Sequence, residues 1–152
     1  MDIDALRIEL ASGHPDTGAY SSDDAVAAVE LNAVNRSIYT PIPSSELLGW
    51  SAAHSSGGRP RLLKMQEAKE NHVSEQVQAA ASAAVTMINR DGTTLDLNRV
   101  DRMMMVDGLV AGGVLSADDK TDLLSLGTES VSRAVEIGLG WVRPGDVTQA
   151  RM

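Results

Sequence analysis

Apolar side chains recur at helical spacing along most of the chain, and the pattern predicts a mainly α protein. Ile3, Leu6 and Leu10 stand at i, i+3 and i+7 and predict a first helix over residues 2–12, with Asp2 and Asp4 at its positive end. Gly13, His14 and Pro15 end it. Ser21 and Asp24, spaced as in a capping box, start a second helix that runs through Val26, Val29, Ala33 and Val34 to about Arg36. Pro41 and Pro43 force their predecessors into extended geometry, so residues 38–43 read as an extended strap. Ser44 or Ser45 opens a short helix carrying Leu47, Leu48 and Trp50, and the run from Ser55 to Gly58 breaks it.

The longest periodic segment follows. From Pro60 to Asn89 the chain contains no glycine and no second proline. Proline at a first helical position loses no hydrogen bond, and thirty helical residues make a rod of roughly 45 Å. Leu62, Met65, Val73, Val77, Ala80, Ala84 and Ile88 form its seam, interrupted by the polar stretch from Lys69 to Glu75. That interruption leaves open a straight rod with one projecting half or a pair kinked near Asn71. Downstream, Thr93–Leu97 is a short connection, and Asp96 or Asn98 caps a helix with Val100, Met103, Met104 and Val110 inward. Ser116, followed by Asp118 and Asp119, is a strong helix start, and that helix stops at Gly127. Thr128 is read as the cap of a helix through Val131, Ala134, Val135 and Ile137. Regular structure ends at 138–145, apart from a last turn over 146–152. The expected architecture is a bundle of about six helices around the long one at 60–89. It is read as a single domain, with a possible subregion 1–58 joined to 59–152.

Composition changes this picture in one respect. The chain has no phenylalanine, and its aromatics are Tyr20, Tyr39, Trp50 and Trp141. Aromatic rings carry the largest hydrophobic payload per residue. A core of Leu, Val, Ile, Met and Ala is therefore expected to be modestly stable, with assembly compensating. Cysteine is absent, which excludes disulfides, thiolate nucleophiles and cysteine-ligated metal. No apolar run has the length of a membrane span, and the acidic start Met1–Asp4 lacks signal-peptide character. A soluble protein made in the cytosol is the expectation.

The net charge of −8 is unevenly spread. Residues 1–58 hold eight acids and two bases, residues 59–90 three acids and five bases, and residues 91–152 ten acids and six bases. An acidic chain is a poor binder of nucleic acid, where phosphate neutralisation dominates affinity. Arg59, Arg61 and Lys64 in the basic segment, together with backbone N–H groups from Gly57 onward, read as an interface or anion site at a helix start. Tyr39 and Ile42 on the strap, and Trp50 and Trp141, complete the candidate contact residues.

Motifs for chemistry are incomplete. The sequence around Ser51, with His54 nearby, lacks the strand and the final glycine of a nucleophile elbow. A calcium loop centred on Gly92 would place Met87 where an oxygen ligand is needed. His72 and Glu75 share a helix face without the third ligand that zinc requires. Gly138-x-Gly140 lacks the rest of a dinucleotide-binding turn. Met103, Met104 and Met105 point to three sides of one turn, so one of them is left to face solvent or a partner. No enzyme activity, metal or cofactor is expected.

Three stretches, residues 23–36 (DDAVAAVELNAVNR), 111–124 (AGGVLSADDKTDLL) and 132–146 (SRAVEIGLGWVRPGD), resemble small helical proteins encoded in the structural gene clusters of tailed bacteriophages. The resemblance implies a virion component at the neck, the tail or a fibre junction, acting through contacts with other virion proteins and with itself. It carries no catalytic residues. In a ring of copies, Arg59, Arg61 and Lys64 would meet the acidic N-terminal helix of a neighbour. The alternative is a small cytosolic adaptor or regulator that binds a partner protein along the long helix.

Overall fold

A computed structural model describes residues 1–55, 58–90 and 92–152, and it is mainly helical. Helix α1 (Ile3–Ser12) starts where Asp2, in extended geometry, accepts the Ala5 N–H at 3.0 Å. It closes at Gly13, whose φ of 90° and whose position against Gly18 exclude a side chain: a Cβ there would lie 2.4 Å from the Gly18 carbonyl. Helix α2 (Asp24–Asn32) is capped by Asp23, which accepts the N–H groups of Ala25 and Val26, and not by Ser21 or Ser22. It stops short of Arg36. The remaining residues of the expected helix, together with the first residues of the strap, form strand β1 (Val34–Tyr39).

The strap continues into β2 (Ile42–Pro43), followed by α3 (Ser44–Ala52) and α4 (Arg61–Asn71). The expected rod is two helices. His72 adopts φ −70° and ψ 141°, and α5 (Glu75–Ile88) begins anew under the cap residue Ser74. The break is stitched by the His72 imidazole, which accepts the Ser74 N–H at 3.0 Å through Nδ1 and meets the Gly112 carbonyl at 3.0 Å through Nε2. The Gln78 amide donates to the His72 carbonyl at 2.6 Å. Folding back lets the buried sides of α4 (Met65, Ala68) and α5 (Ala81, Ala84, Val85) share one core, which a straight rod would hold apart. Val73, expected in the seam, sits in the break and is fully exposed.

Strand β3 (Thr94–Leu95) pairs antiparallel with β2, with Ile42 opposite Leu95 and Pro43 opposite Thr94. Helix α6 (Val100–Ala111) starts after Arg99 with no side-chain cap, since Asp96 instead closes a local turn on the Asn98 N–H. Its inward face is Val106 and Leu109, with Met103, Met105 and Val110 partly buried; Val100 and Met104 face solvent. Helix α7 (Ala117–Leu126) has the expected Ser116 cap, completed into a capping box by Asp119. Residues 128–132 form β4 (Thr128–Ser132), which pairs with β1, and not the start of a helix. Ser132 then caps the short α8 (Arg133–Glu136), and α9 (Pro144–Arg151) is a two-turn helix with proline in its first turn.

Contacts divide the chain into two compact units: residues 1–38 with 129–152, and residues 39–128. The division expected at 58/59 falls inside the second unit. The first unit buries Leu6, Ala27, Leu31, Ala134 and Val147 completely, in a core of small aliphatic side chains supplied by α1, α2, α8 and α9. The second is larger and centres on Ile42, Leu47, Trp50, Met65, Leu109 and Leu123.

Candidate functional site

The basic segment does not present Arg59, Arg61 and Lys64 together. Arg61, in the first turn of α4, is only 6% exposed. Its Nε donates to Asp119 Oδ1 at 2.8 Å, one terminal nitrogen donates to the Trp50 carbonyl at 3.0 Å, and the other to Asp122 Oδ2 at 2.7 Å. Its guanidinium also stands 5.1 Å from the centroid of the Trp50 ring. Asp119 simultaneously accepts the Ser116 N–H at 2.8 Å. Burial pushes the Asp119 carboxyl up, but the Ser116 N–H and hydroxyl and the Arg61 guanidinium outweigh it and hold the group below its ordinary value. Arg61 is thus a bracket between α3, α4 and α7.

Arg59 is exposed and pairs with Glu67 at 2.7 Å, while Lys64 donates to the Ser55 hydroxyl at 3.0 Å. Ser56 and Gly57, part of the expected anion site, and Asp91, part of the calcium-loop reading, lie outside the described residues. Ile42 is fully buried, and Trp50 is buried with its indole N–H donating to the Asp119 carbonyl at 3.3 Å. Tyr39 packs against the same core, and its carbonyl accepts the Asn98 amide at 2.8 Å. These residues hold the second unit together.

Trp141 is placed differently. It is 73% exposed, although the next residue, Val142, is 1% exposed. The Asn32 side chain, at the last position of α2, grips the Val142 backbone from both sides: Nδ2 donates to the carbonyl at 2.6 Å and Oδ1 accepts the N–H at 3.0 Å. With Val142 fixed inward on an extended segment, the indole beside it points outward. It borders a hollow of about 300 Å³ lined by Ala25, Ala28, Val29, Asn32, Ala33, Val142 and Pro144. Val29 is 69% exposed, and among the described residues no charged side chain lines the hollow. Trp141 and Val29 thus leave apolar side chains in solvent beside an uncharged hollow. The sequence reading ran the helix through Val26, Val29, Ala33 and Val34, whereas the residues of α2 that the first unit buries are Ala27, Ala28 and Leu31.

The first unit also contains a charge network that sequence reading missed. Glu9, only 6% exposed, receives Arg133 at both oxygens, from Nε at 2.8 Å and from a terminal nitrogen at 2.9 Å, and the Tyr20 hydroxyl at 2.6 Å. Arg133 also donates to Glu136 at 2.9 Å, which accepts Arg36 Nε at 3.2 Å. The Arg133 hydrogen bonds hold the Glu9 and Glu136 carboxyls below their ordinary value, and burial and the Glu9 bond push the Tyr20 phenol up. Every strong polar group in this cluster is paired internally, which is the arrangement of a brace. The signal available in the sequence was Glu9 standing three residues after Leu6, on the buried side of α1.

A second surface groove, of about 680 Å³, runs between α5 and α6. Its lining includes the small residues Ala80, Gly108, Ala111 and Gly112, together with His72, Val77 and Met104, the last 67% exposed. Within the second core, an apolar void of about 20 Å³ between Trp50, Met65 and Leu109 has room for about one water molecule and no polar partner for it. Among the described residues no cluster of three or more His, Asp and Glu side chains is arranged for a metal ion, and no helix is long and apolar enough to cross a membrane. Both nitrogens of His72 meet backbone groups. Compared with known proteins, the chain matches no family model, no curated protein and no solved structure.

Proposed function

We propose that the chain is a non-enzymatic assembly protein acting through protein–protein contacts, a helical structural component of a tailed-phage particle at its neck, tail or fibre junction. The observation that supports an assembly role is the Trp141 face, a large apolar side chain held in solvent by the Asn32 grip on Val142. Exposure of this kind disfavours the free chain and is relieved when a partner covers it. The phage setting rests on the resemblance of residues 23–36, 111–124 and 132–146. Partners in this reading are other virion proteins and further copies of the chain, with the virion as its final location.

The charged ring contact takes a narrower form. Arg61 is engaged internally, so of the three candidate cations it is Arg59, exposed beside Glu67, and Lys64 that would meet an acidic neighbour. The adaptor reading has two shorter helices in place of one rod, and its distinguishing result is a chain that captures a partner protein and is missing from particles.

The test is quantitative mass spectrometry of purified particles raised from a genome that encodes the chain. Stoichiometric copies per particle are expected. Particles that lack the chain although the host produces it would overturn the reading.

A further inference from the structure

We propose that His72 is a proton-operated latch. Neutral, its imidazole ties the start of α5 to the end of α6; on taking up a proton it lets go of α5 and keeps α6. Donor and acceptor roles fix the form of the ring. Nδ1 lies 3.0 Å from the Ser74 nitrogen, whose N–H can only donate, and Nε2 lies 3.0 Å from the Gly112 carbonyl, which can only accept. The Nε2–H tautomer satisfies both partners. The other neutral tautomer satisfies neither, and the imidazolium satisfies Gly112 while turning its Nδ1–H against the Ser74 N–H.

The two bonds therefore respond to a proton in opposite ways. Ser74 caps α5 by accepting the Val77 N–H at 3.5 Å, so the bond that is lost holds the residue on which the helix starts. Gly112 follows the last residue of α6, at the negative end of that helix, where a cation is favoured. The end of α6 is seated against the first turn of α5: a Cβ on Gly112 would lie 2.7 Å from Val77 Cγ2. The Gln78 amide, 2.6 Å from the His72 carbonyl, still ties the break to α5. A proton thus frays the start of α5 without parting the hairpin from α6.

The surroundings leave this step to the imidazole. The charged groups bordering its hollow are Arg59, just ahead of α4, and Lys64 and Glu67 within α4, and Arg59 and Glu67 pair with each other at 2.7 Å. The turn after α6 brings Gly112, Gly113 and Val114 to the same hollow. The groove between α5 and α6, which His72 also borders, has no Lys, Arg, Asp or Glu in its lining among the described residues, and Glu75 in the first turn of α5 is exposed. Carboxylates, lysines and arginines keep their charge between about pH 8 and about pH 5, where imidazoles change theirs.

The experiment is NMR on the isotope-labelled full chain, titrated from about pH 8 to about pH 5. Ring nitrogen shifts report the tautomer and charge of His72. Amide hydrogen exchange, taken relative to the unstructured-chain rate at each pH, reports the Ser74 N–H. The neutral ring is expected in the Nε2–H form. Ser74 protection is expected to fall about fivefold in step with the ring's titration, the equivalent of one hydrogen bond, while that of Ala81, in the interior of α5, holds. His72→Asn is the control: its Oδ1 accepts the Ser74 N–H in an Asx turn and takes up no proton, so Ser74 protection should stay level. A neutral ring in the Nδ1–H form, a Ser74 amide that ignores the titration of the ring, or an equal fall in His72→Asn would overturn the latch. The first two outcomes need only the wild type, so they decide the matter even if the variant fails to fold.

Discussion

Arg61 Nε donates to Asp119 Oδ1 at 2.8 Å, and the two side chains are 7% and 1% exposed, so a residue that reads as a surface cation is part of the interior. Breaking a buried pair from one side leaves an uncompensated charge, at a cost of about 3–5 kcal/mol. Arg61→Ala and Asp119→Ala should each lower stability by that order in urea denaturation, and the double variant should lose much less than the sum. Arg59→Glu removes an exposed pair with Glu67 and should change stability by about 1 kcal/mol or less. Charge reversal at Arg59 alone is therefore a usable probe of an interface, and at Arg61 it is not. Single variants of Arg61 and Asp119 that both unfold at the wild-type midpoint would contradict the bracket.

The contrast between Arg61 and Ser116 shows what was legible in the sequence. Ser116 caps α7 through contacts three residues away, and such local chemistry can be read from spacing. The same holds for the Asp2 cap of α1 and the extended geometry before Pro41 and Pro43. The Arg61–Asp119 pair spans 58 residues, and no periodicity announces it. Residues 34–36 and 128–132 carry helical spacing, yet each becomes a strand because the other is there to pair with it. The rod at 60–89 fails for a related reason. Its polar interruption was visible, but only the burial gained by folding α5 back on α4 decides between a projecting half and a hairpin. Trp141 was named among the contact candidates as one of four aromatics; the Asn32 grip on its neighbour Val142 was not legible.

Glu9 gives the chain a pH dependence of definite sign. Its carboxyl lies below the ordinary 4.5 in the folded state because Arg133 and Tyr20 bond to the ionised form. A depressed folded value means that the stabilisation is fully present above the unfolded pKa and is lost as pH falls through the folded one. Glu136, below its ordinary 4.5, and Asp119, below 3.8, act in the same direction. Urea midpoints measured from neutral pH downward should hold steady and then fall once pH drops beneath the ordinary carboxylate range. Glu9→Gln should be less stable at neutral pH and should show a shallower acid decline. An unchanged acid slope in that variant would remove Glu9 from the account.

Gly127 closes α7 where the chain passes beneath Ile42. A Cβ at this position would stand 2.8 Å from Ile42 Cγ1 and 3.0 Å from the Thr40 carbonyl. Ile42 is fully buried, and the Thr40 N–H donates to the Gly127 carbonyl at 2.7 Å, so neither neighbour can retreat freely. Gly127→Ala should lower stability by about 1–3 kcal/mol, the usual cost of overpacking. Gly108→Ala meets no contact closer than 3.9 Å and removes a helix-interior glycine, so it should leave stability unchanged or raise it by up to about 1 kcal/mol. Thermal melts of the two variants side by side test the pair. A Gly127→Ala protein that melts with the wild type would show that Ile42 can move aside.

The Asn32 grip on Val142 predicts how Trp141 behaves in solution. Both amide groups of Asn32 bond the same backbone residue, at 2.6 Å and 3.0 Å, so the segment carrying the indole is held as a strand would be held. Asn32→Ala leaves the part-buried N–H and carbonyl of Val142 without their partners, at a cost of about 1–3 kcal/mol. It also frees the 140–143 segment, since Gly140 at φ 71° can then pivot. In a Trp50→Phe background, where Trp141 is the one remaining tryptophan, Trp141 should emit as a solvated indole yet show higher anisotropy than on a free segment, because the backbone next to it is held. Asn32→Ala should keep the emission wavelength and lose anisotropy. Asn32→Asp keeps an acceptor for the Val142 N–H but loses the donor to its carbonyl, so it should fall between the two. If anisotropy in Asn32→Ala equals that of the parent, the indole is held by something other than this grip, and its display as a pre-ordered contact residue has lost its cause.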